Sequence, residues 1–407
     1  MKRAAVLPFL LLAAVVGCGK KPGGPISNAL SVSCGRAHAC ALLEGGKVAC
    51  WGANERGQLG AGLGPLGGDA SGRAVLVEGL PPVVRVSAGE NHTCAIDREG
   101  AAWCWGSNNF GEIGRPDLSY TATHSAPNRV PGTGRGGLVL RDILAGSDGT
   151  CAIAEGRKLA CWGSFNEIGG AAFVALAGDR GPGMAPDPQI LAVNGVTNVA
   201  RSRSHTCVTT SHNLTSTLAC WGVVRDGQLG RPVPESCPQG SCKKPEPVTL
   251  PEAAPGDVEE LAASGWYTCA RSRSRDLYCW EHGATAAPET GGPKLTAPAV
   301  PPGVPRKEIA AVAAGHMTVC YLDTNGRAAC FGREPWTARA DGGAGPAPVE
   351  GLEGASRIAV GAGFACALVS GKVECWGAGA RGQLGGGALV PSSGGAGSMR
   401  ASAVLAP

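Results

Sequence analysis

Eighteen cysteines and seven histidines carry most of the chemical potential of this 407-residue chain. A zinc site would show cysteine pairs at C-x2-C spacing, and the sequence has none. So many cysteines then point to a disulfide framework in an oxidising compartment. Fourteen of them recur as seven pairs: Cys40 and Cys50, Cys94 and Cys104, Cys151 and Cys161, Cys207 and Cys220, Cys269 and Cys279, Cys320 and Cys330, Cys366 and Cys375. Opposite residues of an antiparallel hairpin have a constant sum of positions. Around a three-residue loop such as Glu44-Gly45-Gly46, a known hairpin solution, Cys40 falls opposite Cys50. In the last pair the spacing shrinks by one and so does the loop, to Ser370-Gly371; in the fourth the loop lengthens about Asn213 and Leu214. Each pair stays opposite, at the separation a disulfide needs after slight adjustment. Each bond closes a short loop worth roughly 2–3 kcal/mol.

Of the other cysteines, Cys237 and Cys242 lie in an insert, 232–247, and are expected to close a small loop there. Cys34 is left over, where other copies place Ala88, Ala314 or Ala362, and is expected to be a buried small residue. His38, His92 and His205 each stand two residues before the first cysteine of a pair. A histidine ring could line a channel and bind metal. A repeated local hydrogen bond is the simpler reading, because other copies put Gly149, Tyr267 or Phe364 there, and no metal is expected. Phosphate-binding loops, H-E-x-x-H and G-x-S-x-G elements are absent, so neither a cofactor nor catalysis is expected.

The elements that position these residues come from the repeat. Each copy runs as an apolar strand ending in Gly, then a Cys-Ala segment, a turn, and Cys-Trp-Gly; the first continues to Gly57-Gln58-Leu59-Gly60. The second cysteines fall 45 to 59 residues apart, a length that suits one four-stranded propeller blade. The 65 glycines beside a 43% hydrophobic fraction fit many short strands broken by turns. The fold expected is all-β: a single seven-bladed propeller over 30–407, with four-stranded antiparallel blades and one disulfide each. The tryptophans at 51, 105, 162, 221, 280 and 376 read as core between blades. The strand Ala401–Leu405 is expected to pair with the first blade and close the ring, removing open edges.

This phrase resembles the regulator of chromosome condensation repeat, in the paired-cysteine form familiar from secreted bacterial members. The resemblance covers nearly all of the chain after the N-terminal segment. Blade five departs from it with Cys279-Trp280-Glu281, blade six with Cys330-Phe331-Gly332, and neither has the Gly-Gln-Leu-Gly turn. The resemblance implies a binding propeller. The exchange-factor role of the family's eponym requires a nuclear setting that a secreted chain would not meet.

Residues 1–17 carry positive charge and then an apolar run, the pattern of a signal peptide. The run ends in Val15-Val16-Gly17-Cys18, which resembles a bacterial lipobox and implies lipidation of Cys18, followed by a flexible tether, 18–29. Gly19 in place of aspartate favours the outer membrane by the same resemblance. The net charge of +4 gives no argument for nucleic acid. The function expected is an envelope-anchored scaffold that binds a protein or a surface polymer as a monomer. One alternative is an inhibitor that covers an enzyme's active site with one propeller face, as inhibitory members of this architecture do; another is polysaccharide binding. Contact candidates are Arg271, Arg273 and Arg275, read as the blade-five hairpin loop, and the aromatics Trp266, Tyr267 and Trp336. The run Arg201-Ser202-Arg203-Ser204 reads as a solvated turn.

Overall fold

The alternation of short apolar strands and glycine turns produces seven sheets, one per repeat. The computed structural model describes residues 24–62, 70–120, 123–164, 184–202, 205–212, 215–223, 229–230, 241–251, 257–281, 297–337, 345–387 and 398–406. Blade one shows the plan. Strands β1 (Ala29–Cys34), β2 (His38–Leu43), β3 (Val48–Ala53) and β4 (Ala70–Leu76) pair in sequence order, all antiparallel. The first strand of each blade lines the central channel and the later ones lie progressively outward. Seven blades close into a ring, and no described helix is long and apolar enough to cross a membrane.

Cys40 and Cys50 are direct cross-strand partners, as are the two cysteines of every other blade. Their Cα atoms lie 4.0–4.2 Å apart and all seven pairs are bonded. The last blade keeps this register because its turn loses one residue: Val369 pairs with Lys372 around Ser370-Gly371. The bonds staple hairpins and cross no blade boundary.

What joins one blade to the next is the tryptophan of the repeat. Trp105 in blade two is fully buried and donates its indole N–H to the carbonyl of Gln58 in blade one, at 2.9 Å. Trp162 does the same to Glu112 at 3.0 Å, and Trp51 to Gln383 of blade seven at 2.9 Å. These carbonyls belong to the Gly-Gln-Leu-Gly turn or its variant. The turn holds itself in shape: the Gln58 and Gln383 side chains accept the backbone N–H of Arg56 and Arg381, and the Glu112 carboxyl accepts that of Phe110. Gly60 takes φ 67°, and a Cβ there would sit 2.6 Å from the Trp105 indole nitrogen. Burying one such indole contributes about 4–6 kcal/mol as an upper estimate.

Among the described residues, blades five and six, which lack this turn, are also the two with reduced outer edges. In blade five the fourth strand contracts to one bridge between Cys279 and Ala299, and in blade six to Ala347–Pro348. The turn returns the chain to the outer edge, so losing it shortens the pairing there. Trp376 of blade seven, which should meet the blade-six turn, is fully buried with no acceptor for its indole N–H.

Ring closure differs in detail from the sequence reading. The C-terminal strand, Ser398–Ala403, pairs within blade seven as its outer strand. The residues after it carry the seam: Ile26 N–H donates to Val404 O at 2.9 Å, and Ala74 N–H of blade one to Leu405 O at 3.3 Å. Blade one needs no outside strand because β4, which precedes blade two in sequence, pairs with β3.

The indole bonds order a set of substitutions. Trp51→Phe leaves the buried Gln383 carbonyl without its donor, whereas Trp105→Phe leaves Gln58 still bonded to Thr93. Trp376→Phe removes an N–H that has no partner. In chemical unfolding, Trp51→Phe is expected to cost about 1–2 kcal/mol more than Trp376→Phe, with Trp105→Phe between them. Equal costs would remove the indole bond from the account of ring stability.

Candidate functional site at the channel mouth

The histidines of the repeat sit between blades and do not line the channel. His38 Nε2 lies 2.9 Å from Thr93 Oγ1 in the next blade, His92 Nε2 2.9 Å from Thr150 Oγ1, and His205 Nε2 2.6 Å from Thr268 Oγ1. The Thr93 hydroxyl donates to the Gln58 carbonyl, so the imidazole N–H must donate to the hydroxyl. Thr150 repeats this with Glu112. The neighbours vary together. Where the histidine position holds Tyr267 or Phe364, the next blade offers Val319 or Ala39, and Tyr267 packs edge-on against Phe331 at 6.1 Å. Blade three has Gly149 at this position, and Arg201 of blade four fills the space: a Cβ on Gly149 would meet its guanidinium at 2.6 Å. Arg201 and Ser202 are therefore buried, a correction to the solvated turn expected of them. Among the described residues no cluster of three or more His, Cys, Asp or Glu could hold a metal ion.

The inner strands enclose a cavity of about 620 Å³ on the ring axis, within the size range of ligand pockets. Glycines narrow it at one end. A Cβ on Gly35 would lie 2.1 Å from the Gly89 carbonyl oxygen, and one on Gly361 2.5 Å from that of Gly35. Backbone bonds run round this neck, from Glu90 N–H to Gly146 O at 2.9 Å and from Ala362 N–H to Arg36 O at 3.0 Å. Cys34 lines the cavity as a free thiol, partly rather than fully buried as expected, and burial pushes its pKa well above the usual range. Its counterpart in blade seven is Val360, not Ala362, because Cys34 pairs with Ala39 and Val360 with Ala365.

The loops between first and second strands converge at the mouth. Arg36 and Glu90 form an ion pair at 2.9 Å between blades one and two. Across the mouth Trp266 is half-buried, with the Arg333 guanidinium 4.6 Å from its ring centroid, a separation typical of cation–π attraction. His316 lies 3.7 Å from Glu334 beside it. Other blades place Ala37, Asn91, Asp148, Met317 or Gly363 where blade five has Trp266, so the fold does not require an aromatic there.

The sequence candidates separate. Trp266 is at the mouth. Tyr267, next to it, faces the blade interior and is buried. Arg271 does not project from the hairpin as expected: it lies in the strand Tyr267–Ser272, buried, donating to Glu259 at 2.8 Å and Glu260 at 3.0 Å. Arg273 and Arg275 are exposed in the hairpin itself, at the opposite end of that strand from Trp266. Trp336 falls in a short turn, Pro335–Thr337, and its side chain lies outside the described residues. Cys18, Cys237, Arg203 and Ser204 also lie outside them, though Cys242 is disulfide-bonded. The Arg36–Glu90 pair was legible as opposite charges at one position of successive repeats, whereas Arg333 carries no such signal.

The arrangement is that of a β-propeller: a closed ring, an axial cavity and a mouth built from many loops. Residues 30–58 and 83–112 match the family model described as "Regulator of chromosome condensation (RCC1) repeat", and residues 45–96 match a second model so described. The chain is a seven-bladed β-propeller in which residues 30–112 match RCC1-repeat models. It is 36% identical over 108 residues to the E3 ubiquitin-protein ligase MYCBP2 of Danio rerio, covering 26% of this chain but 2% of that one. It is 28% identical over 384 residues to the regulator of chromosome condensation of Mus musculus, covering 89% of this chain and 86% of the relative. The crystal structure of Prp20p from Saccharomyces cerevisiae shares the fold at a TM-score of 0.65 and 21% identity, covering 93% of this chain and 87% of that one.

Burial holds the imidazole of His38 down at about 3; His92 is also held at about 3, by burial and then by the charges of Arg201 and His38. The unfolded chain protonates both below about 6.5. Between those limits the unfolded state binds more protons, so stability falls as pH falls from about 6.5 toward 3 and is unaffected above it. Each histidine contributes a slope approaching about 1.4 kcal/mol per pH unit. The His38→Gln/His92→Gln pair keeps a donor near the Nε2 position and cannot titrate, so its unfolding free energy should lose this acid slope. A slope as steep as the parent's would contradict the assignment.

Proposed function

We propose that the chain is a macromolecule-binding scaffold without catalysis, anchored to the cell envelope through a lipidated Cys18 and working by protein–protein contact at the channel mouth. Seven buried disulfides support an oxidising compartment, and the Val15-Val16-Gly17-Cys18 run supports the anchor. Binding residues tend to sit on loops held by a rigid frame. The observation that carries the reading is Trp266, half-buried at the mouth under the Arg333 guanidinium at a position where the fold asks for no aromatic. Tryptophan, tyrosine and arginine are the side chains most enriched among binding hot spots. The yeast relative Prp20p is described by its binding to Gsp1p and histones, so propellers of this repeat serve protein contact in at least that case.

The test is capture of a partner from envelope extract and culture supernatant by the full chain made under oxidising conditions. One dominant partner is expected, bound at least tenfold more weakly by Trp266→Ala, about 1.4 kcal/mol, and unaffected by Arg327→Ala in the hairpin at the other end of the blades. If that partner is an enzyme whose activity falls on binding, the inhibitor reading replaces the scaffold. A partner bound equally well by Trp266→Ala would move the site away from the mouth.

A further inference from the structure

The hairpin end of blade five carries a second constellation, independent of the mouth. The hairpin Arg273-Ser274-Arg275 and the loop leading into blade six, with Arg306 and Lys307, are strapped together by one buried carboxylate. Asp276 accepts the Arg306 Nε–H at 2.8 Å, the Lys307 backbone N–H at 3.1 Å and the Ser274 hydroxyl at 3.3 Å. Its side chain is 5% exposed. Ile309 N–H completes the strap by donating to Arg275 O at 3.0 Å. Asp276 thus answers the charge of Arg306. The side chains of Arg273, Arg275 and Lys307 stay exposed, with no ion-pair partner among the described residues.

Two of these three cations sit where a non-glycine residue is disfavoured. Arg275 has φ 65° and Lys307 φ 59°, the left-handed region that costs an L-residue conformational energy. The matching loop residue is Gly46, Gly100 or Gly326 in blades one, two and six, and Arg157 at φ 57° in blade three. The turn thus accepts glycine in three blades, so an arginine is not needed to close it. A strained residue kept where the fold accepts glycine is an observation from which a binding role can be inferred.

We infer that Arg273, Arg275 and Lys307, fixed on two loops by Asp276, form a docking site for a carboxylate-rich peptide segment of a protein partner. Exposed arginine guanidinium groups match carboxylates through paired hydrogen bonds. The patch is short; the exposed Glu308 follows Lys307 in sequence, and the half-buried Asp257 lies beside Arg273, whose backbone N–H donates to the Asp257 carbonyl at 2.8 Å. A nucleic acid would ask for a longer basic stripe and a more basic chain than one of net charge +4. The two surfaces lie at opposite ends of a six-residue strand, about 20 Å apart along the blade, so a partner could meet either one alone.

Fluorescence anisotropy with a labelled hexaglutamate peptide tests the site on the full chain at low and at physiological salt. The parent should bind, more weakly as salt rises. The variant Arg273→Gln/Arg275→Gly/Lys307→Gly should lose at least tenfold in affinity while its melting temperature holds or rises, because two left-handed positions become glycine. Trp266→Ala should bind the peptide as the parent does, which keeps this outcome separate from the mouth reading. No binding by the parent, or equal binding by the triple variant, overturns the site. Tighter binding of a labelled ten-residue thymidine oligonucleotide than of the peptide overturns the partner class.

Discussion

In three of the blades a single backbone carbonyl organises the joint to the next blade. The carbonyls of Gln58, Glu112 and Gln383 each point into the neighbouring blade and receive its buried indole N–H, and the first two also take a threonine hydroxyl. That carbonyl is available because the glutamine or glutamate side chain satisfies the turn's own N–H groups. The fourth glycine is required because the indole lies against it. The histidine then joins the same cluster through the threonine. Four separated parts of the repeat phrase thus serve one contact, which is why the phrase recurs nearly whole. Desolvated donors and acceptors are costly when one partner is missing, so the contact also specifies which edges belong together.

Disulfides and indole contacts divide the labour. Each of the seven described disulfides joins two strands of one hairpin and fixes their register, and none of the seven spans a boundary between blades. The ring therefore holds by packing and hydrogen bonds, and the cross-links keep each unit from fraying into a partner-seeking edge. Where the phrase decays, in blades five and six, the outer edge shrinks and Trp376 loses its acceptor. The same two blades carry the mouth aromatic and the basic hairpin loops. Relaxed repeat constraints and candidate binding residues coincide there.

Much of this was readable from the sequence. Pairing of the cysteines followed from loop parity, and the burial of the six tryptophans from their alternation with cysteine along a strand. The histidine hydrogen bond was anticipated, though not its direction into the next blade, because the sequence orders residues along a strand and not across a boundary. Arg271 was misplaced since its two acidic partners, Glu259 and Glu260, lie on the adjacent strand and draw it inward. Arg201 was misread because the space it fills is created by a glycine in another blade. Trp266 and Tyr267 are neighbours with opposite fates, and only the start of the strand at Tyr267 separates a mouth residue from a core one.

Each blade is also contiguous in sequence, with all its strands drawn from one repeat and the seam carried by Ile26, Val404 and Leu405. Among the described residues the two chain ends meet in one antiparallel bridge, Pro25 opposite Leu405, and share no named strand. A ring assembled this way can gain or lose a whole unit by duplication or deletion without orphaning a strand, provided the new edges match. The edges are where such events are policed: a histidine-bearing face suits a threonine-bearing neighbour, while Tyr267 and Phe364 suit Val319 and Ala39. The order of the blades round the circle is thus written into their flanks, and a shuffled ring would fail at its contacts long before any single blade failed to fold.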